Sequence, residues 1–76
     1  MKAVAIADLA RSAYRRLSPA VRRQLNSMIW QMARGDDTDA TSWGGEVYSV
    51  TLSDGTFVVI EDRSDVVVVQ HVIRPS

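Results

Sequence analysis

The chain has no cysteine, two prolines, four glycines and a single histidine and phenylalanine among 76 residues. Without cysteine there is no disulfide framework and no thiolate metal site. A chain of this length makes one domain, here 1–76, and buries only about 60% of the surface its unfolded form exposes. A compact core or a partner must therefore supply its stability. No apolar run approaches the roughly 18 residues that would suggest a membrane span. The opening Met1–Ala7 has some character of a secretory leader, but Asp8 ends the apolar stretch too early. The expected compartment is the cytoplasm, with no membrane partner. No internal repeat or low-complexity tract is present.

One further scarcity is regional. Residues 1–35 carry seven basic side chains and only one carboxylate, Asp8, a net +6; residues 36–76 carry Arg63 and Arg74 against eight carboxylates, a net −6. The overall charge of zero conceals this division. A basic half joined to an acidic half suits binding to a polyanion or to a protein of opposite pattern.

The hydrophobic pattern changes at the same place. Lys2–Ile6 reads as a short edge strand. A helix over 8–17 follows, with Asp8 as its cap and Leu9, Ala10, Ala13 and Leu17 on one stripe. Ser18-Pro19 stops this helix and starts another, since serine caps well and proline suits the first helical position. The second helix runs to Arg34, where Gly35 supplies a left-handed stop. Its core stripe is Val21, Leu25, Met28, Ile29 and Met32. Trp30 projects about 155° from that stripe, beside Arg23, Asn26, Ser27 and Arg34. An indole among arginines is either covered by a neighbouring loop or an anchor for a partner, because Trp and Arg dominate binding hot spots. Arg23, Trp30 and Arg34 are the candidate interaction patch.

Residues 35–45 read as a polar loop. Its three aspartates fit no complete calcium loop, so no metal or other cofactor is expected. From Glu46 the period is two, with Tyr48, Val50 and Leu52 on one face and Val47, Ser49 and Thr51 on the other. Asp54-Gly55 is a hairpin turn signal. Thr56–Glu61 is the next strand, Asp62–Asp65 the next turn, and Val66–Ile73 a third strand. Its four consecutive valines suggest a strand covered on both faces. The resulting class is α+β: a helical hairpin on one face of a small antiparallel sheet of three or four strands.

In this order of elements the chain resembles the RelE/ParE toxin superfamily of bacterial toxin–antitoxin modules. Tyr14–Arg23 reads like the family's DLxxLPxxVRRxI segment. Val47–Asp54 is similar to its YRVRVGD strand, and Thr56–Val69 to its YRVIYEIDDDVVVV hairpin. The resemblance implies a toxin with a cognate antitoxin as partner. RelE-type members cut mRNA in the ribosomal A site; ParE-type members bind DNA gyrase. The ribonucleases carry arginines on the two middle strands, where this chain has Ser49 and Phe57. The family's C-terminal His, Arg or Tyr group is reduced to Arg74-Pro75-Ser76.

Cleavage of RNA by its own 2′-hydroxyl needs a base, an acid and cations around the phosphorane. His71 and Arg74 are the candidates near the site that the resemblance implies; Glu61 is a more distant base, and Arg63 lies on a turn. By simple alternation His71 shares a face with Val67, Val69 and Ile73, where a lone histidine is usually structural. The serine, histidine and aspartate spacing gives no nucleophilic triad. Three functional readings follow: a toxin that binds its target with little or no ribonuclease activity, a non-enzymatic protein-binding module such as an inhibitor or a dimeric regulator, and a nucleic-acid or ribosome binder using Arg11, Arg15 and Arg22. Exposed helix arginines are ordinarily a solvated face, and no aromatic-interleaved RNA motif accompanies these.

Overall fold

The computed structural model describes residues 1–75; Ser76, the last residue of the C-terminal group considered above, lies outside them. The elements are β1 (Ala3–Ile6), α1 (Asp8–Arg16), α2 (Pro19–Ala33), β2 (Thr41–Ser42), β3 (Val47–Thr51), β4 (Phe57–Asp62) and β5 (Val66–Ile73). They form one five-stranded sheet in the order β1-β5-β4-β3-β2, with both helices on one face.

The helical hairpin forms for the reasons its sequence supplies. The Ser18 hydroxyl accepts a hydrogen bond from the Val21 N–H at 3.3 Å, and Pro19 opens α2. Gly35 ends the helical segment at φ +81°, a conformation that costs other residues a Cβ clash. The cap of α1 differs from expectation. Asp8 is the first helical residue and Ala7 the cap, with no side-chain capping bond. Asp8 instead pairs with Arg11, one turn on, at 3.3 Å.

Leu9 is also a correction: it is 87% exposed rather than part of the core stripe. The side of α1 that meets the sheet carries Ala10 and Leu17, with Ala13 and Tyr14 packed against the core. Alanine lets the helix backbone approach β5 closely, and Leu9, about 100° around the helix from Ala10, is left in solvent. The stripe on α2 is as expected, with Val21, Leu25, Ile29 and Met32 buried and Met28 partly so. These side chains close over Val58, Ile60, Val67 and Val69, each at 0% exposure. Burying a Leu, Ile or Val fully contributes about 1.5–3 kcal/mol.

The sheet is larger and more mixed than the expected antiparallel arrangement. β1 pairs parallel to β5, with Val4 opposite Val67 and Ile6 opposite Val69. The 66–69 run thus gains neighbours on both edges, β1 and β4. The polar loop contains the two-residue β2, which pairs antiparallel to β3, with Thr41 opposite Ser49.

Candidate functional site on the open face of the sheet

The face of the sheet away from the helices is built by three rows of paired residues across β3, β4 and β5. Thr51, Phe57 and Ile73 form one row, Ser49, Val59 and His71 the next, and Val47, Glu61 and Val68 the third. Residues opposite one another in a ladder share a face, so these side chains stand together.

His71 reaches this face through a β-bulge. Val59 pairs with His71 and Ile60 with Val69, so Gln70 is an extra residue in β5. An inserted residue shifts the alternation of everything after it. Val67 and Val69 face the helices before the bulge, and Val72 is buried after it, while His71 is exposed. The expectation that His71 shares a face with Val67 and Val69 is therefore overturned. It stands on the open side with Val68 and Ile73.

Arg74 follows β5 directly and is exposed, at the same end of the strand as His71. Its neighbour Pro75 lies against the β3–β4 turn: a Cβ built on Gly55, which has φ +89°, would sit 3.7 Å from Pro75 Cγ. The residues that match the ribonuclease arginines, Ser49 and Phe57, both lie on the open face. Neither supplies a cation.

Glu61, in the row beside His71, is engaged twice. Arg63 Nε donates to Oε1, and Gln70 Nε2 donates to Oε2 at 3.2 Å. The bond from Arg63 holds the Glu61 carboxyl below its ordinary value, opposed by partial desolvation. A carboxylate so stabilised is a weaker base near neutrality.

The apolar character of this face is its most distinctive feature. Trp43, Val47, Phe57 and Ile73 are all exposed large apolar residues, with Trp43 at 67%, Ile73 at 56% and Phe57 at 36%. Trp43 was not singled out by its spacing, and its geometry comes from β2. Trp43 N donates to Val47 O at 2.9 Å, and the reversal between them uses Gly44 and Gly45, both at positive φ. The indole Nε1 then donates to Ser49 Oγ at 2.7 Å, covering Ser49. The Trp-Gly-Gly triplet after an acidic loop is the sequence signal for this flap.

The other sequence-predicted residues lie on helices, on the opposite side of the sheet. Arg11 contacts Asp8 and the Ile6 carbonyl, and Arg22 donates to the Arg15 carbonyl at 3.3 Å. These arginines and the His71–Arg74 end of β5 are thus carried by different layers of the fold. Trp30 is 42% exposed, with Arg23, Ser27 and Arg34 also exposed around it. Asn26 is turned aside, accepting from the Tyr14 hydroxyl at 2.6 Å. Among the described residues no cluster of three potential ligands could hold a metal ion; of the loop carboxylates, Asp36 accepts from Arg34 at 3.1 Å. A pocket of about 280 Å³ at the end of α2 is lined in part by an ion pair that the sequence did not suggest, Lys2 Nζ to Asp62 Oδ1 at 2.6 Å.

Comparison with solved structures gives this architecture a counterpart. A chain of the intact E. coli RelBE toxin–antitoxin complex superposes with a TM-score of 0.75 at 21% identity, covering 100% of this chain and 99% of that one. The fold is that of the RelE toxin. The isolated E. coli RelE toxin superposes with a TM-score of 0.73 at 22% identity, covering 100% of this chain and 86% of that one. No protein-family model and no curated protein matches the chain. The RelE fold thus confirms the α+β class, a helical hairpin on a sheet, while the sheet has five strands rather than three or four.

Proposed function

We propose that this chain is the toxin-like component of a bacterial toxin–antitoxin module and acts by binding a macromolecular target, a gyrase-type or ribosome-type assembly, with ribonuclease activity weak or absent. The shared RelE fold supports the toxin reading. One observation carries the choice of binding over cleavage: the open face is apolar where phosphate chemistry needs cations. Phe57, Ile73, Val47 and Trp43 are exposed there. His71 is the one histidine in the chain, and Glu61 is committed to Arg63 and Gln70. A phosphorane carries charge that must be met by several preorganised donors, each worth roughly 2.7–4 kcal/mol in comparable sites. His71 and Arg74 remain as the target-contacting edge.

The test is inducible expression in a bacterial host. Growth arrest without new mRNA ends, relieved by the product of an adjacent gene, is the expected outcome. Phe57→Asp and Ile73→Asp relieve the arrest, while His71→Gln, at the edge of the contact, only weakens it. Cleaved mRNA that disappears in His71→Gln would instead establish a nuclease. Harmless expression of a stable homodimer would establish the second reading, a non-enzymatic protein-binding module, for which the same apolar face provides the contact surface.

A further inference from the structure

Trp43 is more exposed than any other aromatic residue, at 67%, yet it is not loose. Its N–H bonds the Val47 carbonyl, and the reversal between them takes Gly44 and Gly45 at φ +95° and +56°. Its indole Nε1 donates to Ser49 Oγ at 2.7 Å. Ser49 belongs to the row of Val59 and His71 on the open face, and under the indole it is only 4% exposed. A side chain held at both backbone and ring has little conformational freedom left to lose when something binds. Its one polar group is taken by Ser49, so the ring offers a partner only its π face. That face carries the negative part of the ring quadrupole and attracts a cation, Trp more strongly than Tyr or Phe.

The surrounding charge selects the same kind of occupant. Residues 36–46, the loop that carries Trp43, hold Asp36, Asp37, Asp39 and Glu46 and no Lys, Arg or His. Asp36 pairs with Arg34, while Asp37, Asp39 and Glu46 form no ion pair among the described residues. A phosphate backbone approaching the indole would meet repulsion from these carboxylates; a guanidinium or ammonium meets attraction. On the reading that the open face contacts the target, we infer that Trp43 is a platform for an arginine or lysine side chain of a protein target, and that Ser49 is the positioning residue that fixes the indole for it. Val47 beside the indole, and Phe57 and Ile73 further along the face, then meet apolar side chains that flank this cation. At the position where the related ribonucleases carry an arginine, this chain has the acceptor that orients a receptor for one. The electrostatic role of the position is inverted, from supplying positive charge to receiving it.

The test uses the purified Trp30→Phe chain, in which emission reports Trp43 alone. The probes are a blocked tetra-arginine peptide and its tetra-citrulline analogue, which has nearly the same shape and no charge. Tetra-arginine shifts the Trp43 emission saturably at low salt, and tetra-citrulline does not. In the same background Ser49→Ala weakens the binding by about two- to fivefold, the range expected when an exposed cation–π contact is lost, and leaves the melting temperature unchanged. Ser49→Thr, which keeps the hydroxyl, restores it. The nitrogen-bound proton of the Trp43 indole gives a proton–nitrogen resonance whose exchange with solvent is slowed in the Ser49 and Thr forms and fast in Ser49→Ala. The neutralised variant Asp37→Asn/Asp39→Asn/Glu46→Gln, with the indole untouched, also binds tetra-arginine more weakly. Absence of a response to tetra-arginine, equal responses to the two peptides, a shift of Trp43 emission by a twelve-nucleotide oligouridylate, or parent-like binding by Ser49→Ala would each overturn the inference. Because the titration needs no growth phenotype, its failure leaves the relief of arrest by Phe57→Asp and Ile73→Asp as a separate measure of the target-binding reading.

Discussion

The two faces of the sheet are made by the same three long strands, yet one is closed and the other open. The helix-facing side carries Val58, Ile60, Val67 and Val69 at 0% exposure beneath Leu25 and Ile29. The open side carries Phe57, Ile73 and Val47 in contact with solvent. Both carry large apolar side chains, but the open side interleaves them with Ser49, Thr51, Glu61 and His71 and has no helix over it. An apolar side chain under α2 contributes to folding; one on the open face contributes only when something binds. The open face is therefore where function can be built without loss of the core.

The bulge at Gln70 keeps the two faces distinct at the C-terminal end, so removing it is the change with the largest expected effect. Inserting one alanine between Val59 and Ile60 gives Gln70 a partner across the ladder, restores simple alternation in β5 and turns His71 toward the helices and Val72 toward solvent. The buried imidazole would have no partner, and Val72 would leave the core together with Val58 opposite it. The expected outcome is a chain that no longer unfolds cooperatively, read from circular dichroism during heating. A cooperative melt near the parent's temperature would show that the bulge is dispensable to the division of faces.

A milder contrast compares one side chain from each face. Leu25→Ala leaves a cavity under α2 and is expected to cost about 2–5 kcal/mol, a large part of the stability of so small a domain. Ile73→Ala, at a position 56% exposed, removes little buried area and is expected to cost less than about 1 kcal/mol. Urea titration of the two variants reads the difference directly. Equal losses would mean that the open face is covered in solution by another part of the chain or by a second copy.

Much of the closed face was legible because helix and strand periods are local. Ser18-Pro19, Gly35 and Asp54-Gly55 sit at the turns their chemistry favours, and the α2 stripe follows directly from spacing. The open face was less legible. A bulge leaves no mark in a run such as Val66–Ile73, since any residue can be the extra one; the register is decided by β4 across the ladder. Parallel pairing of β1 and the covering of Ser49 by Trp43 are likewise contacts between distant segments. Leu9 misled because a helix of nine residues has too little length to define which edge of its stripe meets the sheet. The candidate patch on α2 was readable from angle alone, whereas the position of His71 was not.

The smallest expected effect concerns the charge pair that lies within the apolar open face. The bond from Arg63 lowers the folded-state pKa of Glu61 below the ordinary carboxylate value. The unfolded chain then binds more protons than the folded one at mildly acidic pH, so stability rises with pH there. The contribution is fully present above the unfolded value and fades as pH falls through the folded one. The urea midpoint should therefore decline between about pH 5 and pH 3, and the decline should be shallower in Arg63→Gln, where Glu61 loses its main stabilising partner. Because Arg63 is exposed and Glu61 only partly buried, the difference between the two profiles should be slight and should shrink further in molar salt. A steep, salt-insensitive difference would mean that the pair is enclosed, and hence that the open face is covered in solution.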